Sequence, residues 1–278
     1  MGTLSSAPNW DNHSRAQASR QWRKQSAMMG QNVTDAIVAA ADVKHDMRIL
    51  DVACGSGEPA ISIATLLNGT GEVIGVDLAQ SALQTATERA TQRQLNNVRF
   101  QSADAHQLPF PDNSFDRVTS RLGVMFFDDL PRALREMHRV LKPSGKAVLL
   151  AWGPMDQPYF ETTIGAVLRA MPGASLPESA KKMFVFGQHG VLAQRMLDAG
   201  FSTADEKFSK EPWVWPGTPA DVWEYFQEVA VPFAPLLKSI PPEHRGEVDA
   251  AVLQAITRYY DGQEIKFTAT VNITSATK

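Results

Sequence analysis

Five short runs of apolar and β-branched residues, at 47–53, 72–77, 98–103, 115–120 and 146–152, alternate with segments whose apolar residues recur at helical spacing. Ile61, Ala64, Thr65 and Asn68 fall on one helix face, and Leu83, Ala86 and Ala90 repeat the pattern. Ile37–Val43 has the same spacing. Strands alternating with helices call for right-handed crossovers, and so for a parallel sheet covered on both faces. The turn Lys142-Pro143-Ser144-Gly145 is expected to stop a helix over 130–141 and to launch the fifth strand.

Past Trp152 the rhythm changes. Prolines at 154, 158, 172 and 177 and glycines at 153, 165 and 173 break up a helical insert. A helix over 191–199, with Gly200 beyond its end, and a strand over 203–215 restore the earlier pattern. Thr218 and Pro219 then supply an N-cap and a proline at the first helical position. A later helix carries Val248, Ala251, Val252, Ala255, Ile256 and Tyr259 on one face, and 265–274 alternates as a last strand. The expected organisation is an N-terminal cover segment over 1–30 and one domain over 31–278. That domain holds seven strands in one sheet, with helical inserts at about 154–190 and 217–262.

Composition excludes several classes. A net charge of −3 lacks the basic excess of a nucleic-acid-coating protein. No apolar run has the ~18–20 residues of a membrane span. The single cysteine, Cys54, forbids an internal disulfide and a cysteine-cluster metal site, and fits a reducing, cytoplasmic setting. Residues 13–34 carry Arg15, Arg20, Arg23 and Lys24 without an acid, which reads as a basic amphipathic helix; Trp10 and Trp22 ask for apolar neighbours.

The stretch that carries chemistry is Ile49-Leu50-Asp51-Val52-Ala53-Cys54-Gly55-Ser56-Gly57-Glu58-Pro59-Ala60. A buried strand runs into a glycine turn, and Pro59 is expected at the first position of the following helix. Gly55 and Gly57 allow a tight turn and close approach of a ligand to the backbone. Asp77 closes the second strand about 20 residues later, the spacing of a carboxylate that binds ribose hydroxyls. Asp51 and Glu58 flank the turn, where they oppose a pyrophosphate and suit a ligand with a cationic end.

These residues resemble the first motif of the class I S-adenosylmethionine-dependent methyltransferases, Asp51-Val52-Ala53-Cys54-Gly55-Ser56-Gly57. The resemblance continues through Val76-Asp77-Leu78, Ala103-Asp104-Ala105, residues 108–116 and Arg139-Val140-Leu141-Lys142-Pro143. Within that class the chain is similar to the group of ubiquinone and menaquinone biosynthesis. It departs from that group in lacking the N-terminal Tyr- and Asn-containing pattern. It also has Ala151-Trp152-Gly153 where the group ends its fifth strand in Glu-x-Ser.

The resemblance implies a Rossmann-like, doubly wound α/β fold, mostly parallel, with an antiparallel last strand. It implies S-adenosylmethionine as cofactor, S-adenosylhomocysteine as product and no metal. Asp51, Ala53, Gly55 and Gly57 would surround the methionine part, with Arg121 at its border. Asp77 would accept from both ribose hydroxyls, Leu78 would pack on adenine, Asp104 would accept from the adenine amino group, and the Ala105 amide would complete the base contact.

No catalytic residue is assigned. His106 reads as a rim residue, His138 as a packing or surface residue, and His189 as a cap; His13 lies in the cover segment. Phe126, Phe127, Trp152, Tyr159, Trp223 and Phe226 are candidates to line a pocket for an apolar or aromatic small-molecule acceptor methylated at O, C or N. Arg132, Arg135, Arg139 and Lys142 read as a solvated helix face and not a nucleic-acid track. Two alternatives stay open on these residues: a catalytically silent cofactor-binding protein that works by sensing or partner contact, and a nicotinamide-dependent oxidoreductase. The oligomeric state is left unassigned.

Overall fold

The computed structural model describes residues 17–18 and 20–278. Seven strands form one sheet: β1 (Arg48–Val52), β2 (Glu72–Asp77), β3 (Val98–Ser102), β4 (Phe115–Arg121), β5 (Leu141–Trp152), β6 (Thr203–Pro216) and β7 (Glu264–Thr277). Their order is β3-β2-β1-β4-β5-β7-β6. The first five are parallel, and β7 runs antiparallel to β5, with Lys146 opposite Thr277 and Trp152 opposite Val271. This is the expected doubly wound Rossmann-like sheet with its antiparallel last strand. Chain order reverses between β1 and β4, so a crevice opens at the carboxyl ends of these strands, the usual ligand position in such sheets.

The helices are α1 (Arg23–Ala41), α2 (Ala60–Leu67), α3 (Gln80–Gln92), α4 (Leu130–Val140), α5 (Pro158–Thr162), α6 (Ile164–Ala170), α7 (Glu178–Lys181), α8 (Val191–Asp198), α9 (Pro219–Val229), α10 (Ala234–Lys238) and α11 (Arg245–Thr257). Helix α3 buries Leu83, Ala86 and Ala90, the three residues expected to share its apolar face. In α2 the expected face holds only in part: Ile61 and Ala64 are buried, together with Ala60, Ile63 and Leu67, but Thr65 and Asn68 are exposed, because the buried stripe runs through Ile63 and Leu67 instead. Ile49, Ile63, Ala64, Leu67 and Val73 meet in a core cluster that Val38, Val98 and Phe100 extend.

One turn is built differently from expectation. Residues 142–145 do not separate α4 from β5, because Leu141 already pairs with Phe115 of β4. The ladder then shifts, and Lys146 pairs with Arg117. The extra residues bulge out of β5, which is how Pro143, without an N–H, is tolerated inside a strand. Ser144 takes a left-handed conformation there, at φ 62°.

The chain packs as two compact units. The sheet unit comprises 33–153, 186–209 and 271–278. The helical unit comprises the described part of 1–32 together with 154–185 and 210–270. In the helical unit Tyr159 is ringed by Phe160, Trp213, Phe226 and Phe267, with centroids 5.2–5.9 Å away. Trp22 packs on Trp215 at 5.6 Å, the apolar neighbour its position asks for. Thr218 caps α9 in a full capping box with Asp221. Trp10 and His13 lie outside the described residues. Among the described residues no helix is long and apolar enough to cross a membrane, and no group of three or more His, Cys, Asp or Glu could hold a metal ion.

Candidate functional site

The carboxyl ends of β1, β2 and β3 each present an acid, and each acid is held differently. Asp51 lies in register with Thr119 across the β1–β4 ladder. Thr119 Oγ1 donates to its Oδ1 at 2.9 Å, and the Ala60 amide donates to Oδ2 at 3.3 Å. Asp51 is fully buried. Burial pushes its carboxyl up to about 7, against the opposing pull of the Thr119 and Ala60 hydrogen bonds and of Arg121.

The turn after β1 leaves the strand through Ala53 in a left-handed conformation (φ 59°). Gly55 (φ 52°) and Gly57 (φ 105°) continue it. The Cys54 amide donates to Val76 O at 3.0 Å, tying the turn to β2. The Cys54 thiol is buried, and burial lifts it well above the usual thiol range. Gly75 makes room for that thiol, since a Cβ there would stand 2.9 Å from Sγ. The cysteine is a packing residue, and its backbone is the part that shapes the turn.

Asp77 is the centre of the arrangement. The Gly55 amide donates to its Oδ2 at 2.8 Å and the Ala79 amide to its Oδ1 at 2.8 Å. Each oxygen keeps a further lone pair for a hydroxyl. Leu78, next in the chain, is 68% exposed. At the end of β3, Asp104 Oδ1 accepts from the His106 amide at 2.9 Å and from His106 Nδ1 at 2.6 Å. Burial alone would raise the Asp104 carboxyl, but the two His106 hydrogen bonds outweigh it and hold the group below its ordinary value. Ala105 is buried beside it. Arg121, ending β4, directs Nε at Glu58 O over 3.5 Å.

The residues present fit an adenosine-containing cofactor on three observations. A Cβ added to Gly55 would meet nothing within 4 Å, so the turn faces open space. Ser120 Oγ, at the end of β4, is buried and has no hydrogen-bond partner among the described residues. Finally, acids suited to hydroxyl and amine donors stand on adjacent strand ends.

Glu58 corrects the electrostatic argument made from the sequence. Its carboxylate does not serve a cationic ligand. It accepts from Ser62 Oγ at 2.6 Å and pairs with Arg89 of α3 at 2.7 Å, both partners of the ion pair being largely buried. Its charge is neutralised 31 residues downstream. Pro59 also shifts by one place, serving as N-cap of α2 and not as its first residue.

The remaining candidates are spread over both units. Phe126 closes a short 3₁₀ turn (Val124–Phe126) and is half-buried; Phe127 follows it, also half-buried, and Trp152 is buried with its amide 3.4 Å from Met125 Sδ. Tyr159, Trp223 and Phe226 are buried in the aromatic core of the helical unit, where Trp223 stacks on Phe226 at 5.9 Å and donates to Asp249 at 2.8 Å. Of the histidines, His138 packs edge-on against Phe201, and burial followed by nearby Lys278 lowers its basicity. His189 is not the cap of α8. Gly190 holds that position at φ 81°, leaving His189 tilted against Phe208 with ring centroids 4.1 Å apart. Arg139 is not a solvated charge either: it bonds Glu136, Asp112 and the Leu108 and Phe110 carbonyls. Sequence reasoning passed over Thr119, Ser120 and Gly123. The first is signalled by its cross-strand register with Asp51, but the other two have no local mark.

Residues 50–149 match a family described as a methyltransferase domain. A 2-phytyl-1,4-naphthoquinone methyltransferase of Nostoc sp. is 41% identical over 41% of this chain and 50% of its own length. A demethylmenaquinone methyltransferase of Deinococcus radiodurans is 37% identical over 60% of this chain and 73% of that protein. The chain spans about half the length of the first curated relatives it matches. Among solved structures, the YcgJ protein of Bacillus subtilis shares the fold at a TM-score of 0.57 and 22% identity, over 89% of this chain and 98% of that one.

Proposed function

Because this chain belongs to the class I S-adenosylmethionine-dependent methyltransferase family, we propose that it methylates an apolar, ring-containing small molecule at O, C or N, with a naphthoquinone-type ring as the first acceptor to try. The observation that carries the reading is Asp77, whose two oxygens are pinned by the Gly55 and Ala79 amides at the mouth of the glycine turn. A carboxylate fixed in this way is preorganised for a ribose diol. The ring preference draws support from the naphthoquinone and menaquinone relatives.

When bound, the cofactor would supply an electrophilic methyl group on a sulfonium; the acceptor takes the methyl in line, and S-adenosylhomocysteine leaves as the neutral thioether. The chain's own residues bind and orient. Asp77 holds the ribose, Asp104 takes the base amine through its second oxygen, and the Ala105 amide completes the base contact while Leu78 covers the ring. Asp51, Ala53, Gly55 and Gly57 shape the floor for the methionine part, with Ser120 and Arg121 beside it. Phe126 and Trp152 of the sheet unit are the aromatic residues proposed for the acceptor side. Alignment of reactants is worth roughly 7–11 kcal/mol, enough to carry transfer to an already nucleophilic acceptor. His106, His138 and His189 are each held in contacts of their own, to Asp104, Phe201 and Phe208.

The test is incubation with methyl-labelled S-adenosylmethionine and a panel containing a reduced, unmethylated naphthoquinone, unrelated phenols and amines, and a metabolite extract. A labelled naphthoquinone supports the reading. A labelled amine alone would overturn the ring preference. Tight S-adenosylhomocysteine binding with no labelled acceptor would favour the silent-binder alternative.

A further inference from the structure

His106 is wired at both ring nitrogens. Nε2 accepts the Asp129 amide at 3.2 Å, which leaves the ring proton on Nδ1, and Nδ1–H is directed at Asp104 Oδ1 over 2.6 Å. The His106 backbone is anchored as well. Its amide donates to the same Asp104 oxygen at 2.9 Å, and its carbonyl accepts from Arg132 Nε at 2.8 Å. Asp129 in turn caps α4, its Oδ1 accepting the Arg132 amide at 3.1 Å. Phe127 meets the imidazole edge-on at 6.1 Å. The imidazole is therefore a strut from the first turn of α4 to a single oxygen of Asp104. Two N–H donors converge on that oxygen, and among the described residues Oδ2 takes no hydrogen bond.

An exposed aspartate on a loop ordinarily samples several rotamers, and each bond it makes to a ligand must first bear the cost of ordering it. A carboxylate already clamped through one oxygen presents the other in one direction. We propose that His106 is a positioning residue for base recognition, clamping Oδ1 of Asp104 so that Oδ2 faces the exocyclic amino group of the cofactor's base. The inference rests on the cofactor reading above and adds the source of its adenine selectivity.

The test is calorimetric titration of the full chain with S-adenosylhomocysteine and with its purine analogue, which lacks the 6-amino group. Wild-type protein is expected to prefer S-adenosylhomocysteine by about 10- to 100-fold, the worth of a hydrogen bond to a charged group. His106→Ala should cut that preference to about 3-fold or less, through loss of S-adenosylhomocysteine affinity alone. His106→Asn, whose amide can donate to Asp104, should restore most of it. If the Ala variant does not fold, the Asn and Gln variants carry the same comparison, with the preference kept in Asn and lost in Gln. Equal weakening of both ligands in the variants, or an unchanged preference, would overturn the proposal. Wild-type protein that binds neither ligand would overturn the cofactor reading and this one with it.

Discussion

The backbone amide of Gly55 donates to Oδ2 of Asp77 at 2.8 Å, so the glycine turn after β1 and the acid that ends β2 form a single element. Replacing the acid releases the turn and, on the proposed cofactor reading, also removes a ribose contact. Asp77→Ala is expected to weaken S-adenosylhomocysteine binding by at least about 100-fold. It should also cost about 1–3 kcal/mol of stability, because the Gly55 and Ala79 amides lose a charged acceptor. Calorimetry and urea unfolding read the two effects separately, and unchanged affinity would remove Asp77 from the site.

Asp51 ties stability to pH. Its carboxyl is raised from 3.8 to about 7 by burial. Between those values the folded state holds a proton that the unfolded state has released. The contribution is therefore fully present below about pH 3.8 and is lost as pH rises through about 7. Unfolding free energies from urea titrations should fall from pH 5 to pH 8 by an amount on the order of 2–3 kcal/mol. In Asp51→Asn, whose amide can still pair with both Thr119 and Ala60, that slope should flatten. An identical slope in the variant would assign the dependence to other groups.

Gly123 is a packing constraint on the site. A Cβ there would stand 2.5 Å from the Ala53 Cβ and 3.0 Å from Ser120 Oγ. Gly123→Ala should cost about 1–3 kcal/mol by overpacking and should also weaken cofactor binding by displacing the turn. Adding Ala53→Gly removes the opposing methyl and suits φ 59°, so the double variant should recover part of both losses. A double variant no better than Gly123→Ala alone would show that the clash is not with Ala53.

Ser120 carries a buried hydroxyl that finds no partner among the described residues, a group whose desolvation they leave uncompensated. Ser120→Ala is expected to leave the free protein as stable or to stabilise it by about 1 kcal/mol. The same change should weaken S-adenosylhomocysteine about 5- to 10-fold. Thermal unfolding with and without ligand checks both halves, and an equal ligand-induced shift in the two proteins would exclude Ser120 from binding.

Most strands were legible because a buried parallel strand announces itself in four to six consecutive apolar or β-branched residues, as at Glu72–Asp77. The start of β5 was not, since Pro143, Ser144 and Gly145 look like a turn until the ladder places them in a bulge. Asp77 could be found by its spacing from the glycine turn, and Asp104 by the resemblance of Ala103-Asp104-Ala105 to a family motif. The orientation of Glu58 and the second bond of His106 could not, because Arg89 and Asp129 come from other elements.

By itself the sequence determined the alternation of strands and helices, the glycine turn and the placement of three acids at the ends of neighbouring strands. All of these follow from local periodicity and from the directions open to a backbone. Tertiary structure alone decided which partners the acids around the glycine turn would find. Glu58 was claimed by Arg89, Asp51 was buried against Thr119, and Asp77 was pinned by Gly55. A carboxylate taken out of water must find a donor or give up its charge, and the donors available to it are set by which distant segments the fold brings near.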